Sequence, residues 1–300
     1  MQVERIPLPV DDRGRRDEAA WLRLREADYT ASEVGALWGV SLRKSELAVY
    51  LAKAGHRAKV SDPRYRRRGH VLEPVVADRL ADKFPGAVVA AATVYLRGRD
   101  PDDPHMRVGA TKDYDLIRTG RRTVLEIKTV AEDWFNRHWR RGRDIRPPDE
   151  VVWQVRTQAM LDDSDDGLIA VQVLNAREDL YLFAVPRDAR HELEIQRRVS
   201  AFWQRFAAGK WPRMQYGREA KALDMLPRVA AAVPPLVDDG LAELADQHTR
   251  LTRSVADAER ELKAIEDKIR ERMLTHAAVR LPDARLITAK SSGRRRVRIR

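Results

Sequence analysis

Residues 125 to 128 alternate between apolar and polar side chains within a stretch, 123 to 129, that reads as a strand, and an extended strand is the structure that sorts them. Leu125 and Ile127 fall on one face and Glu126 and Lys128 on the other. A strand with one apolar and one charged face needs a sheet around it and a cover over it, and the neighbouring sequence offers both. Residues 115 to 118 lead through Thr119-Gly120 into this strand and read as the first arm of a hairpin. Upstream, Val71, Leu72, Val75, Val76, Leu80 and Phe84 recur at helical spacing and predict a helix over 65 to 84, stopped by Pro85-Gly86. Downstream, the Pro147-Pro148 break precedes a helix over 149 to 161, then strands over 168 to 174 and 180 to 185, then a helix over 188 to 208.

The region before this framework is also patterned. Thr30-Ala31-Ser32-Glu33 is a capping box that starts a short helix over 32 to 38. Leu47, Tyr50 and Leu51 mark a second helix, closed by Gly55. Residues 88 to 96 read as one apolar strand, 107 to 109 as a short extended piece, and 134 to 141 as a helix. Residues 1 to 20 mix charges with Pro7 and Pro9, show no period, and are expected to be loosely ordered.

Beyond Pro234-Pro235, Leu241, Leu244, His248, Leu251, Val255, Ala258, Leu262, Ile265 and Ile269 repeat at alternating spacings of 3 and 4. Such a seam over 236 to 277 predicts either a coiled coil or a helical hairpin folded back on the body. Residues 284 to 300 read as a basic β-hairpin turning at Ser292-Gly293. The domain reading is thus a body over 21 to 226, the heptad segment, and the basic tail.

Charge narrows the partner. The formal net charge is +11, and Lys290 to Arg300 hold six basic residues and no acidic one, Arg294, Arg295 and Arg296 among them. A polyanion is the expected partner, with nucleic acid the leading class. There is no cysteine, which excludes disulfide scaffolds, thiolate metal sites and cysteine nucleophiles. No run approaches the roughly 18 apolar residues of a membrane span, and no apolar segment follows the N-terminal charges. The expectation is therefore a chain of the cytoplasm with no membrane partner.

The candidate chemistry gathers on the alternating strand. A Glu-x-Lys pair alone is most simply a solvent-facing ion pair. Asp113, however, lies one hairpin upstream, where the turn can bring its carboxylate beside Glu126. Two hard oxygen ligands and a cation converging on one point suit magnesium, which usually takes one or two carboxylates and keeps several waters. The backbone carbonyl of Ile127 is a further candidate ligand. Glu73, between Leu72 and Pro74 on an apolar helix, and Gln154, within Val152-Trp153-Gln154-Val155, are polar residues in apolar runs and complete the group. Asp115, two residues beyond Asp113, is the competing ligand.

The order of helix Glu73, Asp113, Glu126-x-Lys128 and helix Gln154 resembles the PD-(D/E)xK nucleases, and within them the branch of lambda exonuclease and the YqaJ-type phage recombination nucleases. Trp21-Leu22-Arg23-Leu24-Arg25 followed by Thr30-Ala31-Ser32-Glu33-Val34 is similar to the N-terminal signature of that branch. The resemblance implies an α/β, restriction-endonuclease-like core, a central mixed sheet flanked by helices, with the helical and basic C-terminal segments as extensions. It implies Glu73, Asp113 and Glu126 as metal ligands, Lys128 as the catalytic lysine, Gln154 as a supporting residue, and magnesium, or manganese in its place, as cofactor. Arg25, Ser32 and Thr111 match positions that hold the 5′-phosphate of a DNA end. The implied activity is 5′→3′ resection of linear double-stranded DNA, in a phage or prophage setting, with a single-strand annealing protein as partner and a ring-shaped oligomer, a trimer in the lambda enzyme. The chain departs from the family's Pro-Asp-Gly at Lys112-Asp113-Tyr114. Two other readings remain: an endonuclease of the same superfamily, and a DNA-binding scaffold with a decayed site.

Overall fold

The computed structural model describes residues 1–56, 63–217, 219–226, 238–273, 278–282, 286–289 and 297–299. It divides into two compact units, Met1–Arg228 and Val229–Arg300.

The first unit opens with β1 (Gln2–Pro7), α1 (Glu18–Glu26), β2 (Tyr29–Thr30), α2 (Ala31–Val34) and α3 (Glu46–Lys53). Asp17 caps α1 by accepting from the Ala20 amide at 3.0 Å, and Ser45 caps α3 by accepting from Ala48 at 3.1 Å. The long α4 (Pro63–Lys83) follows, then β3 (Val88–Ala91), β4 (Val94–Asp100), β5 (Asp103–Ala110), β6 (Tyr114–Arg118) and β7 (Arg121–Ala131). After β7 come α5 (Glu132–His138), the short β8 (Arg140–Arg141) and β9 (Asp144–Ile145), α6 (Asp149–Asp162), β10 (Asp166–Leu174), β11 (Leu180–Pro186), α7 (Ala189–Ala207) and α8 (Ala220–Leu223).

These elements build a mixed α/β core with two main sheets. One runs β11-β10-β7-β6-β3, in which β10 and β7 are parallel and every other neighbouring pair is antiparallel. The other runs β1-β4-β5-β2. The expected β6–β7 hairpin is present, and its two turn residues, Thr119 at φ 49° and Gly120 at φ 79°, have the positive φ that matches the twist of the arms. On one face of the larger sheet, Val76, Ala77 and Leu80 of α4 bury Leu116, Leu125 and Ile127. The other face lies under α6, whose Val151 and Val155 pack with Ile169 and Val171. A third cluster joins Tyr29, Leu47, Leu51 and Leu96 to Phe202 and Trp203 of α7.

Several sequence expectations change. The N-terminal 20 residues are not loose: β1 pairs with β4 from Gln2↔Arg99 to Pro7↔Val94. Their side chains stay mostly exposed, so the strand is held by its backbone ladder and leaves no buried face to print a period in the sequence. The apolar stretch over 88 to 96 splits at Ala92-Thr93 into strands of different sheets. The extended piece at 107 to 109 is part of an eight-residue strand. The helix expected over 134 to 141 stops at His138, and a small hairpin takes its last residues.

The second unit contains α9 (Asp239–Arg272), one uninterrupted helix capped by Asp238, so the helical-hairpin reading of the heptads is not what forms. Leu241, Leu244, Leu251, Val255, Leu262 and Ile265 are exposed along it. The unit ends in a three-stranded antiparallel sheet of β12 (Ala278–Arg280), β13 (Leu286–Ala289) and β14 (Val297–Ile299). The expected pairing of the tail arms is thus found, with a third strand added. Its turn, and Arg294, Arg295 and Arg296, lie outside the described residues. Among the described residues no helix is long and apolar enough to cross a membrane.

Candidate active site

The antiparallel register pairs Tyr114 with Leu125, which puts Asp113, one residue earlier, opposite Glu126. The Asp113 carboxylate accepts the Ile127 backbone amide at 2.9 Å, locking it to the Glu-x-Lys strand. Asp115 is committed elsewhere, 2.5 Å from the ammonium of Lys112. That lysine is the departure from the family pattern, and it is buried. It also meets Asp162 at 2.7 Å, while Arg5 of β1 reaches the other oxygen of Asp162 at 2.9 Å. A proline there makes a stiff turn by itself; here a buried ion network between β1, the turn and α6 holds the segment. Asp113, not Asp115, is the carboxylate that faces Glu126.

Glu126 is 3% exposed, so the charged face of β7 is not a solvent face. Its Oε1 accepts from Lys128 Nζ at 2.5 Å and from Gln154 Nε2 at 2.6 Å. Its Oε2 accepts from Gln158 Nε2 at 2.7 Å. Gln154 and Gln158 stand one helical turn apart on α6 and so present both amides to the same strand. Gln158 is fully buried, donates also to the Thr111 carbonyl at 3.1 Å, and leaves its own carbonyl oxygen without a partner. The sequence reading does not single it out. The signal is there all the same, since a glutamine four residues after Gln154 shares its helix face.

Glu73 comes from α4 on the opposite face of the sheet. It pairs with His70 at 3.3 Å and acts on Asp113 through its charge. Burial, then the negative charges of Glu126 and Glu73, push the Asp113 carboxyl well above the usual carboxylate range, against the pull of Lys128. For Lys128, burial disfavours the ammonium, but Glu126 and Asp113 outweigh it and raise the pKa above that of a free lysine. Lys128 is therefore a cation, paired with Glu126 and favoured by the charge of Asp113.

This donor set fits a hard divalent cation. Two desolvated carboxyl groups, Glu126 paired with Lys128 and Asp113 holding a proton that a cation would displace, beside the main chain of Ile127, match an ion that takes one or two protein carboxylates and fills the rest with water or substrate oxygen. Among the described residues no three His, Asp or Glu side chains converge closely enough to enclose a metal ion. Asp113 and Glu126 form the pair, and Glu73 stands apart from it.

A second cluster collects the other three candidates. Arg25 Nη2 lies 2.8 Å from Ser32 Oγ and 3.3 Å from Thr30 Oγ1. Trp21 Nε1 donates to Thr111 Oγ1 at 2.9 Å, and the Arg25 guanidinium lies over the Trp21 ring, 4.5 Å from its centroid. Trp21 therefore ties Thr111 to Arg25 and Ser32. Arg16 also lies over this ring, at 4.4 Å, and escapes a sequence reading because its segment shows no period. Beneath the cluster, Glu33 accepts from the Thr30 amide at 3.2 Å and Thr30 Oγ1 at 2.8 Å, the half of the capping box that involves its side chain. Burial opposes its ionisation, yet Lys53 at 3.2 Å and Lys44 at 3.1 Å, with Arg25, hold its carboxyl far below the usual range.

The family model of the YqaJ-like viral recombinase domain matches residues 20–164, a span that includes both clusters except Arg16. Over these residues the chain is similar to the YqaJ-like viral recombinase domain. Within the matched span Trp21, near its start, lies in the Arg25 cluster, and α6, at its end, supplies both glutamines. No curated protein matches the chain. Among solved structures, an alkaline exonuclease from Laribacter hongkongensis is similar at 19% identity and a TM-score of 0.49, over 64% of this chain and 93% of that one. A phage related exonuclease from Haemophilus somnus 129PT is similar at 14% identity and a TM-score of 0.43, over 62% of this chain and 96% of that one. Scores below 0.5 do not fix residue correspondences, so the roles of residues in the matched span rest on its own geometry.

Proposed function

We propose that this protein is a magnesium-dependent 5′→3′ exonuclease that degrades the 5′-ended strand of linear duplex DNA and leaves a 3′ single strand for recombination. The observation that carries the proposal is the convergence of Asp113, Glu126 and Lys128, with Gln154 and Gln158 fastening Glu126 from α6. Asp113, Glu126 and the Ile127 carbonyl would hold the ion, which supplies polarisation of the phosphate and a more acidic attacking water; manganese would serve as a substitute. Lys128, kept as an ammonium by Glu126 and the charge of Asp113, offsets negative charge developing on the phosphate and orients the water rather than removing its proton. Gln154 spans Glu126 and Lys128 and keeps both in register. The guanidinium of Arg25, with the hydroxyls of Ser32 and Thr111, is suited to a terminal phosphate, which makes a phosphorylated 5′ end the preferred start. Assembly into a ring, with the α9 seam as one contact, and an annealing protein that coats the product strand belong to the same reading and rest on the family resemblance.

The test is digestion, with magnesium, of a linear duplex bearing 5′-phosphate, the same duplex bearing 5′-hydroxyl, and a covalently closed circle. Preferential loss of the phosphorylated duplex, abolished by Asp113→Ala and by Lys128→Ala, is the expected result. Cutting of the circle points to an endonuclease instead. No cutting under any condition leaves a DNA-binding scaffold.

A further inference from the structure

The connection between the Glu126 strand and the Gln154 helix contains a feature that the site does not use. From Arg137 to Arg146 the chain has five arginines and one acidic residue, Asp144. Arg140–Ile145 closes as a two-stranded hairpin, with Arg140 opposite Ile145 and Arg141 opposite Asp144, and the Arg146 amide donates to the Trp139 carbonyl at 2.9 Å beneath it. The base is rigid. Phe135 and Trp139 are both 2% exposed, with Ile145 packed in the same apolar cluster, and Phe135 stacks on Tyr181 with ring centroids 5.1 Å apart. At the tip, Gly142 has φ 64° and nothing within 4 Å of where a Cβ would stand, so the turn projects into open space.

Arg140, Arg141, Arg143 and Arg146 are exposed on this anchored arm. Among the described residues none of the four forms an ion pair. Some exposed arginines elsewhere in the unit are paired, Arg15 with Asp11, Arg137 with Asp133 and Arg197 with Glu194, and others such as Arg23, Arg43 and Arg177 stand singly among the described residues; what sets the hairpin apart is four within seven residues. Four guanidiniums on and beside the hairpin, with Asp144 as the one carboxylate among them, leave a net positive patch that becomes favourable when an anion lies across it. The hairpin's one large apolar side chain, Ile145, is turned into the core, whereas a protein-binding surface centres on apolar and aromatic residues with few charges. Guanidinium forks match phosphate oxygens.

We propose that Arg140, Arg141, Arg143 and Arg146 form a phosphate-gripping hairpin that holds the backbone of duplex DNA on the connection between the catalytic strand and the glutamine helix. The proposal rests on the DNA-degrading reading of the site, and it assigns to the catalytic unit a grip that the sequence alone assigned to the tail.

The experiment is equilibrium binding of a fluorescent, 5′-phosphorylated duplex across a salt series by the full chain carrying Asp113→Ala, which prevents digestion. Adding Arg141→Ala, Arg143→Ala and Arg146→Ala should flatten the dependence of log affinity on log salt by about 0.9 for each DNA phosphate no longer neutralised, so by about 2 to 3 in total. The corresponding Arg→Lys set, which keeps the charges and controls for folding, should retain most of the slope. An unchanged slope and affinity in the alanine set overturn the proposal and leave an acidic protein as the occupant. Loss of slope in the lysine set to the same extent as in the alanine set also overturns it. Failure of the Asp113→Ala chain with an intact hairpin to bind duplex at all overturns the DNA-degrading reading itself, which a loss confined to the arginine variants does not.

Discussion

Gly167→Ala tests how closely the glutamine helix must sit on the catalytic strand. Gly167 lies in β10, beside Val124 of β7, and takes no part in either cluster. A Cβ there would stand 2.2 Å from Cγ1 of Val155, where ordinary contact begins near 3.4 Å. Val155 is fully buried and lies on α6 between Gln154 and Gln158. A valine side chain has little freedom to turn aside. The helix must then retreat by about 1.2 Å, the gap between those two distances. The hydrogen bonds to Glu126, now 2.6 and 2.7 Å, would stretch beyond useful length. Overpacking of this kind costs about 1–3 kcal/mol, at about 2–4 °C of melting temperature per kcal/mol for a unit of this size. Displacement of a site by about 1 Å costs on the order of 100-fold in rate. Thermal melting and initial rates of duplex digestion read the two effects. Val155→Ala in the same chain removes the colliding methyl and should recover part of both, so that the pair couples with opposite sign to simple addition. Wild-type melting and rate in Gly167→Ala, or no relief from Val155→Ala, would refute the reasoning.

Three further substitutions probe the site. Gln158→Leu leaves Glu126 Oε2 and the Thr111 carbonyl without their donor, at about 1–3 kcal/mol for the buried acceptors; melting should fall and cleavage should drop, and normal values for both would show that Glu126 needs only Gln154 and Lys128. Asp113→Asn should abolish cleavage yet raise the melting temperature of the metal-free protein at neutral pH. The folded state holds the Asp113 proton more tightly than the unfolded chain, so from about pH 3.8 up to the raised folded value each step in pH costs the wild type stability. The gain in the variant must therefore grow with pH across that window, and a pH-independent gain contradicts the assignment. Arg25→Ala should narrow the preference for 5′-phosphate over 5′-hydroxyl ends while metal-dependent hydrolysis persists, measured as the ratio of digestion rates on the two duplexes.

What could be read from the sequence was local. The alternation around Glu126, the helix carrying Gln154, the capping box at Thr30–Glu33 and the β6–β7 turn are set by residues within a few positions of one another, and period and turn chemistry report them directly. Tertiary structure decided the rest, because sheet register and helix packing bring together residues that no local period relates. The register of β6 against β7 sets Asp113 opposite Glu126, while the buried Lys112 takes up Asp115. Packing of α6 on β7 brings Gln158 to Glu126 and makes the charged face of the strand a buried one. Pairing with β4 orders the N-terminal strand, the Trp21 ring joins Arg16 to the Arg25 cluster, and burial of Trp139 and Ile145 turns the end of an expected helix into an arginine hairpin. Side-chain chemistry was legible one residue at a time, and which side chains meet was settled only when distant segments were packed against each other.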